Sequence, residues 1–169
     1  MIELALFIIF PALMAYAAAS DLFTMTIPNE VSLALVAAFP AVALAVGLPW
    51  ETALWHVAAG LIVLTACFAM FAFGWIGGGD AKLAAVIALW LGFNQALLQY
   101  LLFAAVAGGA LTILILLLRF WSLPAFAVQW KWLGRLHNPT GGVPYGIALA
   151  VAALAVYPYS PIWLSATAG

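Results

Sequence analysis

The sequence predicts an all-α, polytopic membrane protein, a bundle of about six transmembrane helices, on three observations. Hydrophobic residues make up 69% of the 169 positions, charged residues only 5%, and long apolar runs recur between short turn-rich breaks. An ordinary soluble domain carries roughly 25% charged residues. A soluble fold of this size would bury about two-thirds of its extended-chain surface and still need a charged exterior. Four basic and five acidic residues cannot supply one, so lipid is the main solvent.

The apolar runs cover residues 2–20, 30–48, 52–73, 80–93, 95–118 and 143–163. A bilayer core of about 30 Å takes roughly 20 helical residues. The fourth run rises only about 21 Å and is expected to be a short helix sheltered by its neighbours. Turn-forming residues separate the runs: Ser20 to Asn29, Gly47 to Glu51, Gly74 to Asp80, and Arg119 to Gly142. Neither a soluble domain nor a low-complexity linker interrupts them, and residues 1–169 read as a single transmembrane domain. The N-terminus carries Glu3 and no basic residue ahead of the apolar stretch, whereas a secretory leader opens with a basic region, so the first run is expected to be retained.

With six spans, the connections after the first, third and fifth lie on one side of the membrane. These hold Lys82, Arg119, Lys131 and Arg135, all of the basic residues. The positive-inside rule makes that side cytoplasmic and puts both termini outside. Asp21 and Asp80 fall on the same side, two complete crossings apart, so they can meet. Residues 124–136 suit a helix lying in the headgroup region, with Phe126, Trp130 and Leu133 on one face and Lys131 and Arg135 on another. An irregular loop anchored by Trp121, Trp130 and Trp132 accounts for them equally well.

A net charge of −1 sets up no field that would recruit nucleic acid. Cys67, the one cysteine, can form neither an internal disulfide nor a paired zinc site and reads as a packing residue. No metal or other cofactor is expected.

Ionisable groups near a membrane core cost about 2.5–3.5 kcal/mol even on the lenient insertion scale, so each acid needs a reason. Glu3 and Glu51 sit at outer helix ends, and Glu30 sits where a helix dipole favours negative charge. Asp21 closes the first run, a poor place for an anion by the same dipole. It is either an interfacial stop or a functional acid. Asp80 follows Gly77-Gly78-Gly79, which allow a tight turn and close approach of another backbone; taken alone it could be a plain helix N-cap. Two aspartates at one depth share a proton, so one can act as base and the other as acid. That chemistry suits peptide hydrolysis without a metal or covalent intermediate.

Asp21 with Thr24 and Ile27-Pro28-Asn29, followed by Gly77-Gly78-Gly79-Asp80-Ala81-Lys82, resembles the type IV prepilin peptidases, the bacterial branch of the GxGD aspartyl proteases. The first string has the form D-x-x-x-x-x-I-P-N and the second G-x-G-D-x-K. The likeness is closest to the short peptidases of Flp (tight-adherence) pilus systems, and Pro144-Tyr145-Gly146 looks like the family's proline-containing entry to its last helix. The resemblance, taken to span essentially the whole chain, implies Asp21 and Asp80 as the catalytic pair, with Gly77, Gly79, Lys82, Pro28, Asn29, Pro144 and Gly146 in support. It also implies a prepilin substrate cut at the cytoplasmic face of the bacterial inner membrane, and contact with the pilus assembly machinery. Larger members carry an additional cytoplasmic region with paired CxxC motifs and N-methylate the pilin. The lack of a cysteine pair here implies peptidase activity alone.

From residue chemistry, Pro28 and Asn29 shape the turn after Asp21, with Asn29 capping or bonding locally. Lys82 points to a different face from Asp80 and reads as a snorkelling anchor. His56 is expected to be a polar packing or interfacial residue, His137 to Gly142 a turn, and Gly108-Gly109 a close helix contact. A transporter or proton conductor using the two aspartates as a relay is the alternative, but it calls for acids at successive depths, which the opposite half of the chain does not offer. A structural assembly subunit would tolerate Asp-to-Asn changes.

Overall fold

The computed structural model describes residues 2–121 and 129–167, with side chains from residue 8 onward. Among these residues the elements are all helical: α1 (Ile2–Thr24), α2 (Asn29–Ala45), α3 (Trp50–Ala72), α4 (Gly78–Leu91), α5 (Gln95–Arg119), α6 (Lys131–His137), α7 (Tyr145–Val156) and α8 (Pro161–Thr167), with a 3-10 turn at Tyr157–Tyr159. By length and composition α3 and α5 can each cross a membrane, and α7 with α8 forms a third candidate span bent by 45°. The described part of α1, Ile8–Thr24, and α2 are apolar but shorter.

The sixth apolar run is not one helix. Ser160 precedes Pro161 and is extended, at φ −73° and ψ 149°, because a proline ring crowds the helical conformation of the residue before it. Of the strap between α5 and α7, residues 122–128, Phe126 among them, lie outside the described residues; among the described ones a helix forms over the seven residues of α6, none of them buried.

Buried α4 is the axis of the bundle. Its 14 residues pack against α3, α2 and α7, and Ala81, the whole stretch Leu83–Ala88, Trp90 and Leu91 are buried. This is the sheltered short helix expected from its length. At one end of the bundle large rings fill the core: Phe10 stacks on Tyr157 at 4.2 Å and lies 5.3 Å from Trp90, while Phe39 meets Trp90 edge-on at 6.3 Å. The buried Trp90 indole donates to the Leu35 carbonyl at 3.0 Å, giving its one polar atom a partner. Gly60 lets α3 close on α4, since a Cβ there would stand 3.2 Å from that of Leu89.

Beyond Trp90, α4 stops at Gly92, whose φ of +76° favours glycine. Asn94 then starts α5, donating to the Leu91 carbonyl at 2.7 Å and accepting from the Ala96 amide at 2.7 Å. His56 is buried under this corner, where Nδ1 donates to the Leu89 carbonyl at 2.8 Å. It is a packing residue.

A Cβ at Gly92 would lie 2.6 Å from His56 Nε2. Gly92→Ala therefore combines a cost of about 1–3 kcal/mol for a side chain in this positive-φ, extended-ψ region with a steric one. It is expected to lower the SDS-induced unfolding midpoint of the purified protein measurably. Gly109→Ala, at a position with nothing within 4 Å, is expected to leave the midpoint unchanged or raise it.

Candidate active site

The site lies at the opposite end of the bundle from the aromatic cluster, where small side chains replace large ones. Asp21 sits in the last turn of α1, with only 5% of its surface exposed. The helix continues for three residues beyond it and ends on Met25, a non-glycine residue at φ 57° whose amide donates to the Asp21 carbonyl at 2.8 Å. Helices commonly end on such a left-handed residue, but usually a glycine, so the turn must be held by its surroundings. Ser20 donates to the Thr26 carbonyl at 2.9 Å, and Thr24 donates to the Ser20 carbonyl at 2.7 Å. These bonds fold residues 25–28 back under the helix end and aim Ile27 inward.

Ile27 is the wedge of the site. A Cβ on Gly79 would lie 3.3 Å from Ile27 Cβ, and a Cβ on Gly146 would lie 2.9 Å from Ile27 Cδ1. The same isoleucine therefore touches the first turn of α4, which carries Asp80, and the first turn of α7. The Gly146 amide donates to Asp21 Oδ2 at 2.6 Å across 125 positions of sequence. Asp80, half-buried, lies within electrostatic range of Asp21. Its carboxyl accepts from the backbone N–H of Gly77, the N-cap of α4. Asp80 is thus the third residue of its helix, reaching back to the cap in the manner of a capping-box acid. The reading of Asp80 as the cap itself does not hold.

The supporting residues fall into two groups. Gly77, Gly79 and Gly146 each leave space that a side chain would take: a Cβ on Gly77 would be 2.7 Å from Asp80 Oδ2, and one on Gly146 would be 2.8 Å from Asp21 Oδ2. Pro28 and Pro144 are N-cap residues of α2 and α7 and set the direction of entry. Asn29 does not cap or bond locally. Its Oδ1 accepts from Lys82 Nζ at 2.9 Å, joining the start of α2 to α4. Lys82 is exposed and turned away from Asp80, as its spacing required, but is tied to a partner. Among the described residues, no cluster of three or more His, Cys, Asp and Glu could hold a metal ion.

Three features here were not visible in the sequence. Arg135 donates to the Phe23 carbonyl at the end of α1, and Phe23 meets Trp132 edge-on at 5.9 Å, so α6 lies against the helix that carries Asp21. Arg119 donates to the carbonyls of Leu136, Gly141 and Gly142 at 2.8, 2.9 and 3.1 Å. Tyr145 spans from α7 to α5, where its hydroxyl lies 2.9 Å from Thr112 Oγ1 and its ring covers Gly108, at which a Cβ would stand 2.9 Å away. Gly108 is the close contact expected of the Gly108-Gly109 pair, and Gly109 has nothing within 4 Å. All of these contacts cross more than 15 residues, beyond the reach of local pattern.

A model of the type IV leader peptidase family matches residues 8–115, nearly two-thirds of the chain. The chain belongs to the type IV leader peptidase family. No curated protein and no solved structure matches it. The matched region of this leader peptidase includes both aspartates and ends within α5, so it is narrower than the whole-chain likeness expected from the motifs. The part played by α7 accordingly rests on the Gly146–Asp21 geometry.

A methyl group at Gly146 would collide with the Asp21 carboxyl and with Ile27 together. Gly146→Ala is expected to reduce leader cleavage on the order of 100-fold, the cost of about 1 Å of misplacement, at unchanged membrane abundance. Single-turnover cleavage of a prepilin in detergent checks it.

Proposed function

We propose that this leader peptidase is an intramembrane aspartyl endopeptidase whose catalytic pair is Asp21 and Asp80, and that it removes the leader from Flp-type prepilins without methylating the product. The observation that supports the reading is that Asp21 and Asp80, 59 positions apart in sequence, lie within electrostatic range at one end of the bundle, with Ile27 packed against Gly79 beside Asp80 and against Gly146, which bonds Asp21. A buried carboxylate there is costly unless it serves a purpose. Among the described residues neither acid is offset by a Lys or Arg side chain: Asp21 takes a backbone amide from α7, and Asp80 takes one from its own helix start.

Two carboxyls in this relation hold one proton between them. The ionised member takes a proton from water as the water oxygen attacks the scissile carbonyl, and the protonated member gives its proton to the carbonyl oxygen. The tetrahedral adduct then collapses: one of its hydroxyls returns a proton to the carboxylate that had protonated the carbonyl oxygen, the C–N bond breaks, and the new amine leaves with the proton first taken from water. The pair returns to its singly protonated state, with no metal and no covalent intermediate.

Orientation follows from the charges. Lys82, Arg119 and Arg135 are all bonded at the aspartate end of the bundle. The positive-inside rule makes that end cytoplasmic, which supports cleavage at the inner face of the bacterial cytoplasmic membrane by a six-span bundle with both termini outside. The absence of a second cysteine in the sequence supports peptidase activity without the methyl transfer of the larger family members.

Co-expression with a Flp-type prepilin is expected to give leader removal by the wild type and none by Asp21→Asn or Asp80→Asn, with all three proteins inserted equally. Wild-type rates in either single variant would end the assignment. With a shared proton, kcat/KM is expected to follow a bell-shaped pH profile, falling where the pair is doubly protonated or doubly ionised. A profile flat across both limbs would contradict the dyad.

A further inference from the structure

We infer that Arg119, in the last turn of α5, is a positioning residue for Asp21 that acts through the backbone amide of Gly146; the inference rests on the peptidase reading above. Arg119 is half-buried, and its guanidinium is spent on three main-chain carbonyls: Nε on Leu136, Nη2 on Gly141 and on Gly142. The planar fork of an arginine fixes the relative positions of such acceptors in a way that a lysine ammonium cannot. The segment it holds is tightly folded. Asn138 Oδ1 accepts from the Thr140 amide at 3.1 Å and from its hydroxyl at 3.0 Å, and the Gly141 amide donates to the Asn138 carbonyl at 2.9 Å. A Cβ on Gly141 would stand 2.8 Å from the Arg135 carbonyl oxygen, so this turn presses directly on α6.

From Gly142 the chain reaches Gly146 in four steps, one of them Pro144 with its restricted φ. Tyr145, the neighbour of Gly146, is held to α5 by Thr112 and seated over Gly108. The amide that grips Asp21 at 2.6 Å is therefore located by two anchors on one helix, Arg119 on the approach and Thr112 at the first turn of α7. Removing the Arg119 fork releases three carbonyls and lets the approach to α7 shift, which moves the Gly146 N–H relative to the carboxyl. Arg119 itself reaches neither aspartate in this scheme.

The test is kinetic and structural together. Arg119→Ala is expected to lower kcat for prepilin cleavage about tenfold with KM within about twofold, as for loss of an interaction felt in the transition state. Arg119→Lys, which keeps the charge but not the fork, is expected to recover only part of that loss. Combined with Gly146→Ala, Arg119→Ala is expected to add little, because both changes disturb the same hydrogen bond. Amide exchange in the peptide containing Gly146 is expected to quicken in Arg119→Ala while a control peptide from α3 stays unchanged. Full activity in Arg119→Lys would assign the effect to charge, multiplying losses in the double variant would assign it to an independent role, and an unchanged exchange rate at Gly146 would remove the proposed link; each overturns the inference. Should Arg119→Ala fail to insert, Arg119→Gln and Arg119→Lys carry the same comparisons. A wild-type protein that does not cut prepilin refutes the function, whereas the exchange experiment still decides whether Arg119 positions the amide.

Discussion

The hydrogen bond from the Gly146 amide to Asp21 is the constraint around which the rest of the structure is arranged. It joins α1 to α7, and it supplies a partner to a carboxyl with 5% of its surface exposed. A carboxylate at the C-terminal end of a helix opposes the helix dipole, while one at an N-terminus is favoured by it. Asp21 is in the first position by sequence and in the second by contact, because the start of α7 is brought to it. Its place is made tolerable by tertiary structure alone.

That arrangement demands thin walls. Ile27, the Asp21 carboxyl and the α7 backbone can converge only because position 146 carries no Cβ, and α4 can close on Ile27 only because position 79 carries none. The opposite end has the reverse composition, with Phe10, Phe39, Trp90 and Tyr157 stacked through the centre. Large rings at one end and glycines at the other let the same helices stand apart where packing supplies stability and draw together around Ile27 and the Asp21 carboxyl. Lipid lends no hydrophobic drive to helix association, so packing of this kind and hydrogen bonds between helices carry it.

Much of this was legible. Composition alone identified an apolar helical chain, the breaks between runs located the starts of α1 to α5 and of α7 to within a few residues, and the glycine string and the isoleucine-proline-asparagine string marked the two turns that flank the site. Periodicity also separated Lys82 from Asp80 correctly. What stayed hidden depends on partners far along the chain. Asn29 reads as a local turn residue, since its type favours that role, yet its side chain accepts from a lysine 53 positions away. The three carbonyls taken by Arg119 belong to no motif at all. Pro161 could have warned that the last apolar run was broken, but hydropathy is blind to the conformation that a proline imposes on the residue before it.

The two acids are held in unlike ways. Asp21 is fixed by a bond between distant elements, so its position follows α1 and α7 together. Asp80 takes its amide from Gly77, three residues earlier, and travels with the start of its own helix. A small rigid shift of the first turn of α4 would change the separation of the pair without costing either carboxyl its backbone partner, and the preceding connection, with Gly74 at φ 73° and Gly77 at the N-cap, can absorb the dihedral changes. The Lys82–Asn29 bond opposes such a shift by tying α4 to α2, on the face away from Asp80. On the proposed peptidase reading, adjustment of the pair to a peptide between them therefore falls on Asp80, while Asp21 serves as the fixed point.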